Sequence, residues 1–205
     1  IVNGDGPYAQ TLQLPLVPFT LVGATTRTGL LTNPMRSRFG YVARLDYYPE
    51  EALRSIIERS ARLLELSLSK EAAQELARRS RGTPRIANRL LRRGRDFAQV
   101  LSDGTLDGKT AREALERLYV DEAGLDQMDR RFLTVIIDHY DGGPVGIETL
   151  AAALSEPRDT LEDVYEPYLL QRGLLARTAR GRVATRHAFE HLGKEQPTGK
   201  QPDLF

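Results

Sequence analysis

A chain of 205 residues with 40% apolar and 28% charged side chains can bury a core, which excludes a wholly disordered polypeptide. Its 29 basic and 28 acidic residues leave a net charge of +1, which excludes a bulk polycation and still permits local basic surfaces. There is no cysteine, so disulfides, zinc ribbons and thiol nucleophiles are excluded, and no apolar run approaches a transmembrane length. The expectation is a soluble, intracellular protein. The chain opens Ile1-Val2-Asn3 without an initiator Met, so a start removed by processing, or a piece of a longer chain, is expected.

Residues 1–46 read as strand and loop. Leu12, Leu14 and Leu16 alternate with Thr11, Gln13 and Pro15, and Gly4, Gly6 and Pro7 lie just upstream, which predicts the second arm of a β-hairpin. Phe19–Ala24 is a short apolar run that fits a buried strand. Thr25–Arg38 is polar around Pro34 and reads as loop and short helix, and Tyr41–Tyr47 fits another strand. Three strands without a long helix do not close a layered α/β domain, so this segment reads as the end of one.

Residues 49–119 read as helices. Leu53, Ile56, Ile57, Ala61 and Leu64 form an apolar stripe after Pro49. Ser69 is placed to cap a second helix that runs through Arg79. Gly82 breaks the chain, Pro84 opens a third helix to Leu101, and a fourth spans about 108–118, which together predict a small bundle.

Residues 123–192 form a different module. Asp126 caps a helix that carries Met128, Phe132, Val135 and Ile136, and Gly142-Gly143-Pro144 stops it. Helices at 147–154 and about 160–172 follow, the latter with Pro167 inside it. Two short strands then flank Ala179-Arg180-Gly181. Three helices followed by a hairpin is the order of a winged helix-turn-helix. Residues 193–205 read as a disordered tail.

Gly104–Thr110 imitates a phosphate-binding loop, but only three residues separate its glycines and no strand precedes it, so it reads as a linker capped by Asp107. His187 and His191 share a helix face without an acidic or thiol companion, and read as surface or packing residues. Eight arginines and no acid lie between Arg78 and Arg95. Most of them fit a solvated helix face. Arg85 differs, because a guanidinium in the first turn after Gly82-Thr83-Pro84 joins the positive end of a helix and faces an anion. Five arginines and no acid lie between Arg172 and Arg186, which makes the hairpin basic. DNA phosphate is the natural partner of such a wing.

Gly23-Ala24-Thr25-Thr26-Arg27, Pro34-Met35-Arg36-Ser37-Arg38-Phe39-Gly40 and the string from Arg81 through Gly82-Thr83-Pro84-Arg85 to Arg93 closely resemble the RuvB family, the AAA+ ATPases of bacterial Holliday-junction branch migration. Gly142–Gly146, Glu166–Leu169 and Arg180-Gly181-Arg182 continue the match to about residue 192. The resemblance implies an α-rich α+β fold in three parts: the end of an AAA+ large domain (1–48), a helical lid (49–122) and a winged-helix head (123–192), followed by the tail (193–205). It implies Thr26 as the sensor-1 group and Arg38 as an arginine finger that reaches the next subunit's nucleotide. It further implies Tyr48 beside the adenine and Arg85 as the sensor-2 group on ATP or ADP. Arg158, Arg177, Arg180 and Arg182 would touch DNA phosphates. Leu12 and Leu14 would dock onto RuvA.

The phosphate loop and the Mg2+ carboxylates of the family are expected upstream of residue 1, so no metal ligand is expected in this chain and it should not hydrolyse ATP alone. The implied partners are Holliday-junction DNA, RuvA, further copies in a hexameric ring and RuvC, in the bacterial cytoplasm and away from membranes. Gln201-Pro202-Asp203-Leu204-Phe205 resembles the peptide with which bacterial replication proteins bind the sliding clamp. The competing readings are a winged-helix transcription factor and another AAA+ clamp-loader or initiator relative. Against the transcription factor, the helix at 160–172 carries Glu162, Asp163 and Glu166, a poor composition for a major groove.

Overall fold

The computed structural model describes residues 2–3, 10–11, 15–25, 29 and 31–196. The chain divides into two units, Ile1–Leu45 and Asp46–Phe205.

In the first unit, β1 (Val2–Asn3) pairs antiparallel with β2 (Gln10–Thr11), with Val2 opposite Thr11 and Asn3 opposite Gln10. The expected hairpin is thus present with arms of two residues, while Leu12 and Leu14 lie outside the described residues. The strand expected at Phe19–Ala24 is not formed, and Phe19, Leu21 and Val22 are exposed. A strand exists only by pairing with a neighbour, and no described strand pairs with this run. The strand expected at Tyr41–Tyr47 is absent for the same reason, and Tyr41 and Leu45 face solvent. Helix α1 (Asn33–Ser37) is the short helix, with Pro34 in its first turn, where a missing N–H costs nothing.

The second unit holds two apolar cores. The first belongs to α2 (Glu50–Leu63), α3 (Lys70–Arg78), α4 (Pro84–Leu101) and α5 (Gly108–Arg117). Leu53 and Ile57 of α2, Leu76 of α3, Leu91 of α4 and Leu115 of α5 are fully buried together. Each such side chain contributes about 1.5–3 kcal/mol through burial. Local chemistry sets the helix starts: Ser69 Oγ accepts from the Ala72 N–H at 3.1 Å, and an Asp107 carboxylate oxygen accepts from the Thr110 N–H at 2.7 Å. Within Gly104–Thr110, residues 104–107 therefore link two helices and Gly108-Lys109-Thr110 opens α5. Leu106 of the link is buried against Gly94, where a Cβ would stand 2.8 Å from the leucine methyl. Gly94 is the reason this loop approaches α4 so closely.

The second core gathers α6 (Gln127–Tyr140), α7 (Ile147–Leu154), α8 (Arg158–Thr160), a π-helical turn (Leu161–Tyr165), α9 (Glu166–Gln171), strands β3 (Leu175–Thr178) and β4 (Gly181–Ala184), and α10 (Arg186–His191). Phe132, Leu133, Ile136, Leu150, Leu154, Leu161 and Leu169 are fully buried in it. Asp126 and Asp129 close a capping box at the start of α6. Pro167 has no N–H to offer the carbonyl four residues back, and the turn before it widens into the π form. β3 and β4 form an antiparallel hairpin with Leu175 opposite Ala184 and Arg177 opposite Arg182. Val145 adds a third strand one residue long, exchanging N–H···O bonds with Arg182 at 2.9 and 2.8 Å. Gly181, at φ 139°, makes room for it: a Cβ there would collide with the Val145 carbonyl. Helices followed by this small sheet make a winged helix, as the sequence order predicts.

Candidate functional site

The eight arginines between Arg78 and Arg95 separate into three groups. Arg78 pairs with Glu75 at 2.8 Å, Arg93 with Asp96 at 3.5 Å and Arg95 with Asp96 at 3.0 Å, so these are neutralised on their own surface. Arg79 and Arg81 turn inward. Arg79 is buried and donates to the Val120 carbonyl at 3.0 Å. Arg85, Arg89 and Arg92 have no charge partner among the described residues, and the spacing i, i+4, i+7 places them on one stripe of α4.

Arg85 opens that stripe, exposed in the first turn of α4. The N-cap there is Thr83, whose hydroxyl donates to the Arg81 carbonyl at 3.2 Å and leaves the turn without a side-chain cap. Uncapped N–H groups at the positive end of an 18-residue helix, beside a free guanidinium, suit a phosphate. Tyr48 is held to the same turn, since its backbone N–H donates to the Gly82 carbonyl at 2.8 Å and Tyr47 packs on Gly82. Gly82 has φ 67°, and a Cβ there would stand 2.6 Å from the Tyr47 Cβ, so only glycine fits. Tyr48 and Arg85 thus flank one turn.

In the first unit, Arg38 is exposed at the C-terminus of α1, just before Phe39. A Cβ on Gly23 would stand 3.4 Å from the Phe39 ring, which brings the Gly23-Ala24-Thr25 segment beside the loop that carries Arg38. Thr26 lies outside the described residues, as do Gln201–Phe205.

The wing arginines are arranged unequally. Fully buried Glu166 receives two fork-shaped contacts. Arg177 donates from Nε and Nη2 at 3.0 and 2.6 Å, and Arg182 from Nε and Nη2 at 2.9 and 3.1 Å. Arg182 also donates to Glu162 at 2.8 Å, and Arg158 spans Glu162 and Glu148 at 3.0 Å each. The three arginines therefore form one ladder with three carboxylates, tying the hairpin to α7, α8, the π turn and α9. Arg182 has a side chain only 12% exposed and acts first as a holder of the wing, whereas Arg177, at 53%, keeps a solvent-facing side. Arg180 stands at the tip between β3 and β4, exposed, and its side chain has no partner among the described residues. Burial pulls the Glu166 carboxyl upward, but the two guanidinia outweigh it and hold it below the usual carboxylate range. Arg158 and then Arg182 likewise hold Glu162 low.

Sequence reading fits most of the eight arginines to a solvated face and does not single out Arg81, whose side chain is only 10% exposed. Its Nε donates to the Gly124 carbonyl at 2.8 Å, its Nη2 contacts Asp129 and lies 3.2 Å from Asp126, and its guanidinium sits 4.9 Å above the Tyr168 ring. The partners are 43 to 87 residues away in sequence, so no local signal marks them. His191 is also a packing residue, with Nε2 2.8 Å from Asp121.

Asp129 is fully buried, and burial pushes its carboxyl up to about 7 against the pull of Arg81. Its Oδ1 has no hydrogen-bond partner among the described residues. A folded-state value above the ordinary 3.8 means that the native state holds the proton more tightly than the unfolded chain. Stability from this group is therefore complete below about pH 4 and lost as pH rises toward 7. Asp129→Asn is expected to gain stability relative to wild type over that interval, read by urea unfolding at several pH values. A relative loss with rising pH would show that the ion pair with Arg81 outweighs burial.

Comparison with known proteins agrees with this arrangement along the chain. Residues 1–45 match the Holliday junction DNA helicase RuvB P-loop domain, residues 48–121 the RuvB AAA lid domain and residues 122–193 the RuvB C-terminal winged helix domain. The Holliday junction branch migration complex subunit RuvB of Rubrobacter xylanophilus is 61% identical over 193 residues, 94% of this chain and 54% of that protein. Among solved structures, the Thermotoga maritima RuvB Holliday junction branch migration motor aligns with a TM-score of 0.83 and 51% identity, covering 88% of this chain and 60% of that one. A T. maritima RuvB variant with a single substitution aligns equally well at 50% identity. The chain spans about half the length of the curated relative it matches.

Proposed function

Because the chain belongs to the RuvB family, we propose that it is the nucleotide-sensing and DNA-gripping part of a subunit in an ATP-driven Holliday-junction branch-migration motor. In this reading residues 1–48 close an AAA+ large domain, 49–122 form its lid and 123–192 its DNA-binding head, with a tail at 193–205. ATP with Mg2+ supplies the phosphoryl transfer that drives the cycle. Arg85 holds the terminal phosphate from the lid, Tyr48 lies by the base, Thr26 faces the phosphate and Arg38 reaches a neighbouring subunit's nucleotide in a hexameric ring. Leu12 and Leu14 meet RuvA, RuvC joins the complex at the junction, and Gln201–Phe205 binds a sliding clamp. The site of action is the bacterial cytoplasm. No helix among the described residues is long and apolar enough to cross a membrane.

The observation that carries the reading is the wing. Its basic side chains are graded from Arg182, committed to carboxylates, through Arg177 and Arg158, each with a solvent-facing side, to Arg180, free at the tip among the described residues. A prepositioned basic edge of this kind reads phosphate and no base sequence. Duplex DNA is therefore expected to bind regardless of sequence and more weakly as salt rises. Arg180→Ala is expected to lower the slope of log K against log salt by about one. Fluorescence anisotropy on random and palindromic duplexes measures both quantities. A strong preference for one palindrome would instead favour a transcription-factor role.

A further inference from the structure

The lid and the head are joined covalently by the segment 118–126, which has no regular secondary structure of its own. Such a segment is by default a hinge between domains. Here it is stitched down on both sides. From the lid, Arg79 donates to the carbonyl of Val120 and Arg81 to that of Gly124. From the head, the Tyr168 hydroxyl donates to the Ala123 carbonyl at 2.5 Å, while His191 and Arg130 lie 2.8 and 3.7 Å from Asp121. Asp121 in turn accepts from the N–H groups of Ala123 and Leu125 at 3.0 and 2.8 Å.

Among the described residues, the Arg81 side chain crosses the whole joint. It leaves the lid at the turn before α4, touches the connecting segment at Gly124, reaches Asp126 and Asp129 at the start of α6 and stacks over Tyr168 of α9. Its backbone is in the left-handed region at φ 54°, which an arginine adopts only when its surroundings hold it there. Gly124, at φ 79°, lets the chains approach, since a Cβ there would stand 3.0 Å from the Arg79 carbonyl oxygen and 3.1 Å from the Tyr168 hydroxyl.

We infer that Arg81 is a positioning residue that locks lid and head into one lever, so that a displacement of the turn carrying Arg85 moves the wing with it. Arg81 and Arg85 flank the same Gly82-Thr83-Pro84 turn, four residues apart. A lid that shifts on phosphate contact at Arg85 carries Arg81, and through it α6, α9 and the wing. The locking rests on the contacts above, and only the step from nucleotide to lid rests on the motor reading.

The absence of cysteine makes the test clean, because introduced pairs are unique. Spin labels at Arg59→Cys on the lid and Ala179→Cys at the wing tip, in the full 205-residue chain, report the lid–head distance distribution. A single narrow distance is expected for the parent. Arg81→Ala is expected to broaden it while hydrogen exchange within α2–α5 and within α6–α10 stays protected, a combination that loss of fold does not produce. Should Arg81→Ala unfold either part, Arg81→Lys carries the test: it keeps the cation, loses the fork and is expected to broaden the distribution to a smaller degree. An unchanged distribution in the folded variant overturns the inference. The measurement uses no nucleotide and no DNA, so its outcome is separate from that of the motor reading.

Discussion

Glu166→Ala is expected to destabilise the winged-helix head by about 3 kcal/mol, because removing one partner of a buried ion pair leaves the other charge uncompensated. The charge stranded is that of Arg182, which keeps only Glu162 and has little access to water. Arg177 is half exposed and rehydrates, so its share of the loss is small. The double variant Glu166→Leu with Arg182→Met is expected to recover much of the loss, since apolar groups of similar size need no counter-charge. Urea unfolding followed by hydrogen exchange in the head measures both variants. A single-variant cost under about 0.5 kcal/mol would mean that the ladder is a surface feature. The folded-state pKa of Glu166 lies below its ordinary value, so this stability is present above the unfolded pKa and is lost as pH falls through the folded one. Acidification is thus expected to loosen the wing, in the opposite sense to the Asp129 effect.

In a ring whose subunits also carry the family's phosphate loop, Arg85→Ala is expected to lower ATP turnover by about 10²–10³, the usual cost of removing one preorganised donor from a developing charge. Arg85 has no competing carboxylate among the described residues, and its helix turn has no side-chain cap, so nothing in the described structure takes over its position. Arg85→Lys keeps the charge and loses the planar fork, and partial recovery is expected. Steady-state hydrolysis by rings containing each variant provides the measurement. Arg89→Ala, one turn along the same stripe, is the control: equal loss from both would assign the effect to the charge of α4 as a whole.

Features held by neighbours along the chain are legible in the sequence alone. Ser69, Asp107 and Asp126 cap helices through contacts two or three residues away, and the Ala179-Arg180-Gly181 turn pairs strands that lie beside it. Features that depend on distant partners are not. Phe19–Ala24 has the composition of a buried strand, but pairing decides strand formation and composition does not. Arg182 reads as a free wing cation, whereas Glu162 and Glu166, 20 and 16 residues earlier, lie beneath it. Arg81 is hidden in a run of arginines, and only contacts 43 or more residues away separate it from Arg85. Composition marks Glu166 as unsuited to the major groove; in the fold it organises the basic edge above it.

The most direct test of the functional account is subunit mixing. RuvB-family subunits with an intact phosphate loop and their own arginine finger replaced by alanine are expected to hydrolyse ATP poorly, because a finger in trans is worth about 10³–10⁵ in rate. Adding the present chain is expected to restore hydrolysis in proportion to its incorporation into rings, and the Arg38→Ala form of the chain is expected to restore none. Incorporation of the unmodified chain without any gain in hydrolysis would contradict the proposal that Arg38 completes a neighbour's nucleotide site.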